Sequence, residues 1–195
     1  MEILYSDKNI AVCVKPIGLD SETGVPNALK EALGGEFFTV HRLDLNVGGV
    51  MVYARNKQTA AELSHAVTDG SMIKEYLATV HGAPPDSDRW VDLLFKDSRK
   101  NKVFVVTRER KGIKRAELEF EKIKQNEDTA LVKIRLYTGR SHQIRVQFSS
   151  RGFPLVGDHK YGSRDEKDAP MLFSYKITFP YKNETRRFEA KPDWA

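Results

Sequence analysis

The alternation of apolar and polar residues in the second half of the chain is the strongest constraint on its fold. In "RAELEFEKIK", Ala116, Leu118, Phe120 and Ile123 recur at nearly every second position, which predicts a strand with one buried face. The flanking stretches "KVFVVT" and "ALVKIRLY" are also rich in β-branched and aromatic residues, and "QNED" supplies a turn before the second of them. A sheet must therefore organise this half.

The first half mixes strands with short helices. The stretch "ILYSDKNIAVCVKP" predicts two strands around a turn at residues 7–9, and "FFTV", "VMVYA" and "KEYLATVHG" predict three more. Helices are predicted in "ALKEALGG" and in "NKQTAAELSHAVTDG", the latter with Asn56 as N-cap and Gly70 at its end. Further on, "SHQIRVQFSSRG" predicts a helix from Ser141 as N-cap to Gly152, and "MLFSYKITFPY" with "TRRFEAKP" predicts a hairpin.

These elements follow one another without a regular β-α-β rhythm. An α+β fold is therefore predicted, with a large mixed or mostly antiparallel sheet and flanking helices. The chain has 195 residues, enough for one core, and no linker rich in Pro, Gly or Ser divides it. We expect a single catalytic domain over residues 1–195 and, since no sustained exposed apolar stripe is evident, a monomer without an obligatory protein partner.

Several kinds of protein and site are disfavoured by the composition. No signal-peptide pattern and no run near the roughly 18 apolar residues of a membrane helix is present, so a cytoplasmic protein without membrane contact is expected. The single cysteine, Cys13, cannot form an internal disulfide or a cysteine-rich zinc module. Phosphate-binding glycine loops and dinucleotide fingerprints are missing, and the five histidines are scattered. We therefore expect no cofactor and no metal.

Positive charge is concentrated in residues 96–115, called the basic segment below. Nine basic residues there outweigh two acidic ones, a balance of +7, whereas the whole protein carries +5. Such a stripe is typical of proteins that bind phosphates, but lysines also guard exposed edge strands against pairing. Charge alone leaves both interpretations open. The nine are Lys96, Arg99, Lys100, Lys102, Arg108, Arg110, Lys111, Lys114 and Arg115.

The candidates for chemistry lie in two short stretches, "HRLDLNVGG" and "TGRSHQIR". Asp44 follows a predicted strand and precedes two glycines, which let a ligand or another strand approach closely. Arg140 and Arg145 lie at the start of a predicted helix, and an arginine beside an aspartate keeps the carboxylate ionised. These residues alone allow a catalytic carboxylate, a structural Arg–Asp pair, or a metal-dependent hydrolase using His41 and Asp44.

Four blocks of the chain together resemble the RluA-type family of pseudouridine synthases: "HRLD" followed by "GG", "IKEYLATVHG", "GRSHQIRVQF" and "GFPLVGDHKYG". They occur in the family's order and, with the similar opening "ILYSDKNIAVCVKPIGL", span about residues 3–180. The resemblance implies the pseudouridine synthase fold with a central RNA-binding cleft. It also implies that uridine in ribosomal or transfer RNA is isomerised to pseudouridine without metal or cofactor. The alternative is a non-catalytic RNA-binding protein that retains the fold.

The resemblance also assigns roles to residues. Asp44 matches the catalytic aspartate, which either attacks the nucleoside or removes a ribose proton. Tyr76 matches the active-site tyrosine that stacks on the uracil, and Arg145 matches the basic residue that pairs with the aspartate. Substrate or RNA contacts are predicted for His41, Arg42, Lys100, Lys102, Arg110, Lys111 and Arg140.

Two features depart from the family pattern. The chain has Val47-Gly48-Gly49 where the family commonly has Thr-Ser-Gly, which removes two hydroxyl groups near Asp44. We also expect the chain to begin directly with the catalytic domain, without the small RNA-binding domain that many relatives carry at the amino terminus. RNA affinity is therefore expected to come from the cleft and from the basic segment.

Overall fold

The computed structural model describes all 195 residues, Met1–Ala195, as eleven β-strands and three α-helices. The strands make a mixed, largely antiparallel sheet with flanking helices, which confirms the predicted α+β fold class. No helix combines the length and the apolar character needed to cross a membrane. The helices are α1 (Gly24–Leu33), α2 (Lys57–Thr68) and α3 (Gln143–Ser149). The strands are β1 (Glu2–Ser6), β2 (Ile10–Lys15), β3 (Phe38–Thr39), β4 (Gly48–Ala54), β5 (Ile73–His81), β6 (Ser87–Asp97), β7 (Lys102–Val106), β8 (Ile113–Gln125), β9 (Thr129–Leu136), β10 (Leu172–Tyr181) and β11 (Glu184–Glu189).

The chain divides into two compact units, which are described separately. The first unit comprises Met1–Glu75 and Phe173–Ala195. Its strands follow the order β1-β2-β4-β10, with β3 also paired to β4 and β11 to β10. The pairing of β4 with β10 is parallel, and the other pairs of this unit are antiparallel. The second unit, Tyr76–Leu172, carries the order β5-β9-β8-β6-β7, which ends at β7.

The core of the first unit lies between α2 and the sheet. Asn56 caps α2 as predicted, because its side chain accepts a hydrogen bond from the Thr59 N–H at 2.9 Å. Leu63 and Ala66 of this helix are buried in one cluster with apolar side chains of β2, β4 and β10. The strand β4 is buried along its whole length, so the segment that follows the Asp44 loop is a rigid part of the molecule.

The core of the second unit follows the predicted alternation in β8, with one correction. Ala116, Leu118 and Phe120 are buried, as expected. Ile123 is instead 53% exposed, because the register with β9 shifts between Lys122 and Lys124 and turns its side chain away from the core.

Two further differences concern α3 and β6. The helix α3 is shorter than predicted, and its N-cap is His142 rather than Ser141. His142 has φ 50°, a left-handed conformation uncommon for a residue with a side chain, and its Nδ1 lies 2.9 Å from the Tyr161 hydroxyl. The strand β6 was not predicted, although it is eleven residues long and buries Trp90 and Leu94.

Candidate active site

Asp44 lies in a loop between β3 and β4 whose backbone is fixed on both sides of it. The Asp44 carbonyl oxygen accepts a hydrogen bond from the Val47 N–H at 3.0 Å, which closes a turn. Before it, the buried Ser21 hydroxyl accepts from the Leu43 N–H at 3.2 Å and donates to the Leu43 carbonyl at 3.0 Å. Asp44 itself is half-buried. A carboxylate that is partly open to solvent is thus carried by a loop whose backbone has little freedom.

Lys15, at the end of β2, is fully buried and ties the same loop to the chain before α1. Its ammonium group donates to the carbonyl oxygens of Pro16 at 3.0 Å, Leu19 at 2.8 Å and Leu45 at 3.3 Å. Burial lowers the pKa of Lys15 to about 8, while two nearby carboxylates, Asp44 among them, raise it. Lys15 was not singled out from the sequence, although it lies in the quoted opening block.

His41 is buried, and its ring anchors the loop to β4. Its Nε2 accepts a hydrogen bond from the Val52 N–H at 3.2 Å, so the proton lies on Nδ1, which has no hydrogen-bond partner. Burial, aided by the charge of Lys74, lowers the pKa of His41 to about 3, so the ring is neutral. This geometry favours a structural role for His41 over contact with RNA, because the ring is buried and its Nε2 is engaged by the β4 backbone.

The structure offers no ready-made metal centre elsewhere. No group of three or more His, Cys, Asp or Glu side chains is arranged to hold a metal ion. The lone Cys13 is buried in β2, and burial raises the pKa of its thiol to about 12. This thiol is therefore protonated and has no nucleophilic character at neutral pH.

Arg42 lies next to His41 but points to solvent. It forms an ion pair with Glu22 at 3.0 Å, and both side chains are more than half exposed. An exposed pair of this kind is weak, so a phosphate group can replace Glu22 at little cost. A role of Arg42 in RNA binding stays a prediction.

The two glycines after the Asp44 loop allow another strand to approach, one of the two uses predicted for them. Gly49 has φ 131°, and a Cβ atom added there would lie 2.3 Å from the Ser174 carbonyl oxygen of β10. At Gly48 an added Cβ would lie 3.2 Å from the Lys15 carbonyl oxygen. The parallel pairing of β4 with β10 therefore depends on the missing side chain of Gly49, while Gly48 fits closely against β2.

In the second unit, Tyr76 and Arg145 are both buried, on β5 and α3 respectively. The Arg145 Nε and Nη2 atoms donate to the two carboxylate oxygens of Asp158 at 2.7 and 2.8 Å. Both side chains of this pair are at least nine-tenths buried, and the guanidinium carbon lies 5.1 Å from the centre of the Tyr161 ring. Such a two-pronged ion pair fixes both the position and the plane of a guanidinium group.

Tyr161 connects this ion pair to its surroundings. Its hydroxyl oxygen accepts a hydrogen bond from the Val103 N–H at 2.8 Å and also lies 2.9 Å from His142 Nδ1. Asp158 and Tyr161 belong to the quoted block "GFPLVGDHKYG", but the sequence offers no spacing that links them to Arg145. They are the neighbours of Arg145 that sequence reasoning missed.

The residues of the basic segment lie on and around the hairpin of β6 and β7 and at the start of β8. Lys100 and Lys111 are exposed, the Arg110 guanidinium lies 5.2 Å from the Phe95 ring centre, and Lys102 Nζ lies 5.2 Å from that of Tyr161. The strand β7 lies at the edge of the sheet in this unit. The cations of the basic segment can therefore protect this edge against pairing with another strand, and phosphate binding by them stays a prediction. Nearby, Arg140 is exposed and its Nε donates to the Arg115 carbonyl at 3.0 Å.

Comparison with known proteins identifies the family of the chain. Residues 3–150 match the family model described as RNA pseudouridylate synthase. The chain is 34% identical over 212 residues to the dual-specificity RNA pseudouridine synthase RluA of Escherichia coli strain K12, covering 98% of this chain and 93% of that protein. It is 32% identical over 184 residues to the ribosomal large subunit pseudouridine synthase C of Buchnera aphidicola, covering 90% of this chain and 58% of that protein.

Solved structures show the same fold. Human RNA Pseudouridylate Synthase Domain Containing 1 superposes with a TM-score of 0.86 at 22% identity, covering 100% of this chain and 84% of that one. Human RNA Pseudouridylate Synthase Domain Containing 4 gives a TM-score of 0.83 at 23% identity, covering 99% and 89%. The predicted fold, family and enzyme class are thus confirmed: the chain belongs to the RNA pseudouridylate synthase family and is an RNA pseudouridine synthase of the RluA type.

Proposed function

We propose that this enzyme isomerises a uridine of ribosomal or transfer RNA and that Asp44 is its catalytic residue. The observation that carries the proposal is the fixation of the Asp44 loop. Buried Ser21 and Lys15 hold the backbone on either side of a half-buried aspartate. A catalytic group has to be held in its reactive position before the substrate arrives, and such positioning lowers the barrier substantially.

The reaction breaks the N1–C1′ bond of uridine and forms a bond from C5 to C1′, so the C5 hydrogen leaves as a proton and N1 gains one. The Asp44 carboxylate can attack the nucleoside, or it can remove a ribose proton to give a glycal. The proposal covers both routes. In either case the uracil must stay in the site while it turns, and its exposure to water must be limited.

Tyr76 and Arg145 are proposed to act on the same uridine. Tyr76 presents a buried ring for stacking on the uracil, and Arg145 carries a charge whose orientation Asp158 fixes. The target base must leave its stack in the RNA, which costs a few kcal/mol that contacts with the protein must offset. Exposed cations, Arg42 and the basic segment, are proposed to hold the phosphates.

The substrate class rests on the relatives. One has dual specificity and the other acts on the large ribosomal subunit by its name, so a ribosomal or transfer RNA is the proposed target. We also propose that the enzyme works as a monomer and in the cytoplasm.

Substitutions of Tyr76 test whether its ring stacks on the uracil or its hydroxyl group takes part in proton transfer. If stacking is its main role, Tyr76→Phe retains most of the activity, whereas Tyr76→Ala loses about tenfold or more, as expected when an aromatic ring that stacks on a base is removed. Initial rates on one RNA substrate measure both. Equal losses in the two variants would contradict stacking and point to the hydroxyl.

The target is found by mapping pseudouridines. RNA from cells that lack the protein is treated with a carbodiimide and reverse-transcribed, before and after complementation with the wild-type chain. A stop that returns with the wild type, and stays absent with Asp44→Asn, names the RNA and the uridine. If no stop depends on the protein at adequate expression and coverage, the proposed substrate class is wrong.

A further inference from the structure

The strands β6, β7 and β8 have two different faces. On one face, Leu94, Val103 and Ala116 are buried in a core cluster with Val146 and Tyr161. Side chains alternate between faces along a strand, so Leu93 and Phe95 of β6 lie on the opposite face. There they are only half-buried.

That opposite face carries two rows of apolar side chains at the β7 end. In one row Phe95 stands opposite Phe104 of β7 and Ile113 of β8. In the next row Leu93 stands opposite Val106 and Arg115. Directly opposed residues in antiparallel strands share a face and lie in contact range. Phe104 is 37% exposed, and the other apolar members of both rows are half-buried.

A cavity of about 400 Å³ opens on this face. Its walls combine apolar and charged groups: Leu93 and Ile113, the cations Arg110 and Arg115, and the carboxylate of Glu109. The volume lies within the range of small-molecule sites. Guanidinium donors and a carboxylate acceptor around an apolar floor match the mixed donors and acceptors on the edge of a nucleobase.

Two cations lie near the aromatic side chains of these rows. The Arg110 guanidinium is 5.2 Å from the Phe95 ring centre, and Lys102 Nζ is 5.9 Å from that of Phe104. The face adjoins and partly overlaps the basic segment, whose balance of +7 favours binding of a polyanion such as RNA. Phosphates alone would need only the cations, so the apolar rows and the cavity are unexplained by phosphate binding.

We propose that this face, formed by Leu93, Phe95, Phe104, Val106 and Ile113 with Arg110 and Arg115, binds unpaired nucleotides of the RNA substrate outside the reacting uridine. A base inserts into the cavity or stacks on the exposed apolar side chains, and Arg110 holds an adjoining phosphate, whereas the Arg115 guanidinium also pairs with the Glu117 carboxylate. Bases inside a duplex cannot reach such a surface, whereas those of single-stranded segments can. The inference rests on the proposed function and narrows its substrate to RNA with an unpaired segment beside the target.

The test measures binding in the full chain carrying Asp44→Asn, so that turnover does not interfere. Fluorescence anisotropy reports the affinity for a short labelled single-stranded RNA of mixed sequence and for the same strand annealed to its complement. Phe104→Ala is expected to weaken single-strand binding about tenfold and to leave duplex binding unchanged. Ile123→Ala removes an exposed apolar residue of β8 away from the cavity and should change neither.

Arg110→Gln is a second variant at an exposed position, where folding is not at risk. It should reduce the slope of log affinity against log salt for the single strand by about 0.7, the value for one phosphate contact. Equal weakening of single strand and duplex by Phe104→Ala would overturn the inference, and so would unaltered single-strand binding in both variants. Pseudouridine formation by the wild type is measured separately on cellular RNA, so failure of the proposed function is distinguished from failure of this surface.

Discussion

Asp44→Asn is expected to abolish pseudouridine formation while the fold stays intact. Asparagine is nearly isosteric with aspartate but can neither attack a sugar carbon nor remove a proton at neutral pH. Loss of a nucleophile or general base lowers turnover by at least about a thousandfold. The loop itself should persist, because its fixation uses the Asp44 carbonyl oxygen and the Leu43 backbone rather than the carboxylate.

The measurement is the release of tritium from RNA labelled at uracil C5, since that hydrogen leaves during the reaction. Asp20→Asn is the matched control, because Asp20 is an exposed aspartate of the same unit and also acts on the charge of Lys15. Its Oδ1 accepts the Glu22 and Thr23 N–H groups, which an asparagine oxygen can also accept. Activity should survive in Asp20→Asn. Substantial activity in Asp44→Asn would show that another residue carries the reaction.

Local signals in the sequence predicted the parts of the fold that depend on neighbouring residues. Asn56 caps α2 because a short polar side chain can reach an N–H three residues on, wherever the helix lies. The turn before β11 occurs as predicted around Lys182 and Asn183, which both take left-handed conformations. The glycines at the start of β4 also indicated a close approach, although only the structure shows that β10 is the strand that approaches Gly49.

Features that depend on distant residues could not be predicted. Periodicity predicted that Ile123 would be buried, but a bulge against β9 exposes it. Ser141 was chosen as the N-cap of α3 by residue type, whereas His142 takes that place in contact with Tyr161, nineteen residues further on. Contacts between residues so far apart leave no spacing signal in one sequence.

The candidate site also combines features that the sequence predicted with features that depend on distant residues. The resemblance placed Asp44, Tyr76 and Arg145 in quoted blocks, but it gave no reason for the buried Lys15 or for Asp158. Each is a charged residue in an otherwise apolar stretch, "IAVCVK" and "PLVGD" respectively. Charged residues are almost never buried without a partner. A charged residue within an apolar stretch was therefore the one sign in the sequence that these two side chains have buried partners. For Lys15 the partners are three carbonyl groups, and for Asp158 the partner is Arg145.

Asp158→Asn is expected to destabilise the protein and to reduce its activity through Arg145. The substitution removes the carboxylate from an ion pair in which both side chains are buried. Breaking such a pair costs about 3 kcal/mol, because the remaining charge loses its compensation in a region of low polarity. A guanidinium group displaced by even about 1 Å can cost a hundredfold in rate. Urea unfolding measures the first effect, and tritium release measured well below the unfolding transition gives the second.

A double variant separates stability from catalysis. Arg145→Met combined with Asp158→Leu removes both charges and fills the space with apolar groups, so much of the stability lost in Asp158→Asn should return. Activity should not return, because Arg145 itself is proposed to take part in the reaction. If the double variant recovered both, the pair would serve folding alone. If Asp158→Asn lost stability but kept its rate and its dependence on pH, Asp158 would not position Arg145 for catalysis. Loss of rate in both variants, with stability regained only in the second, assigns Arg145 to the reaction and Asp158 to its placement.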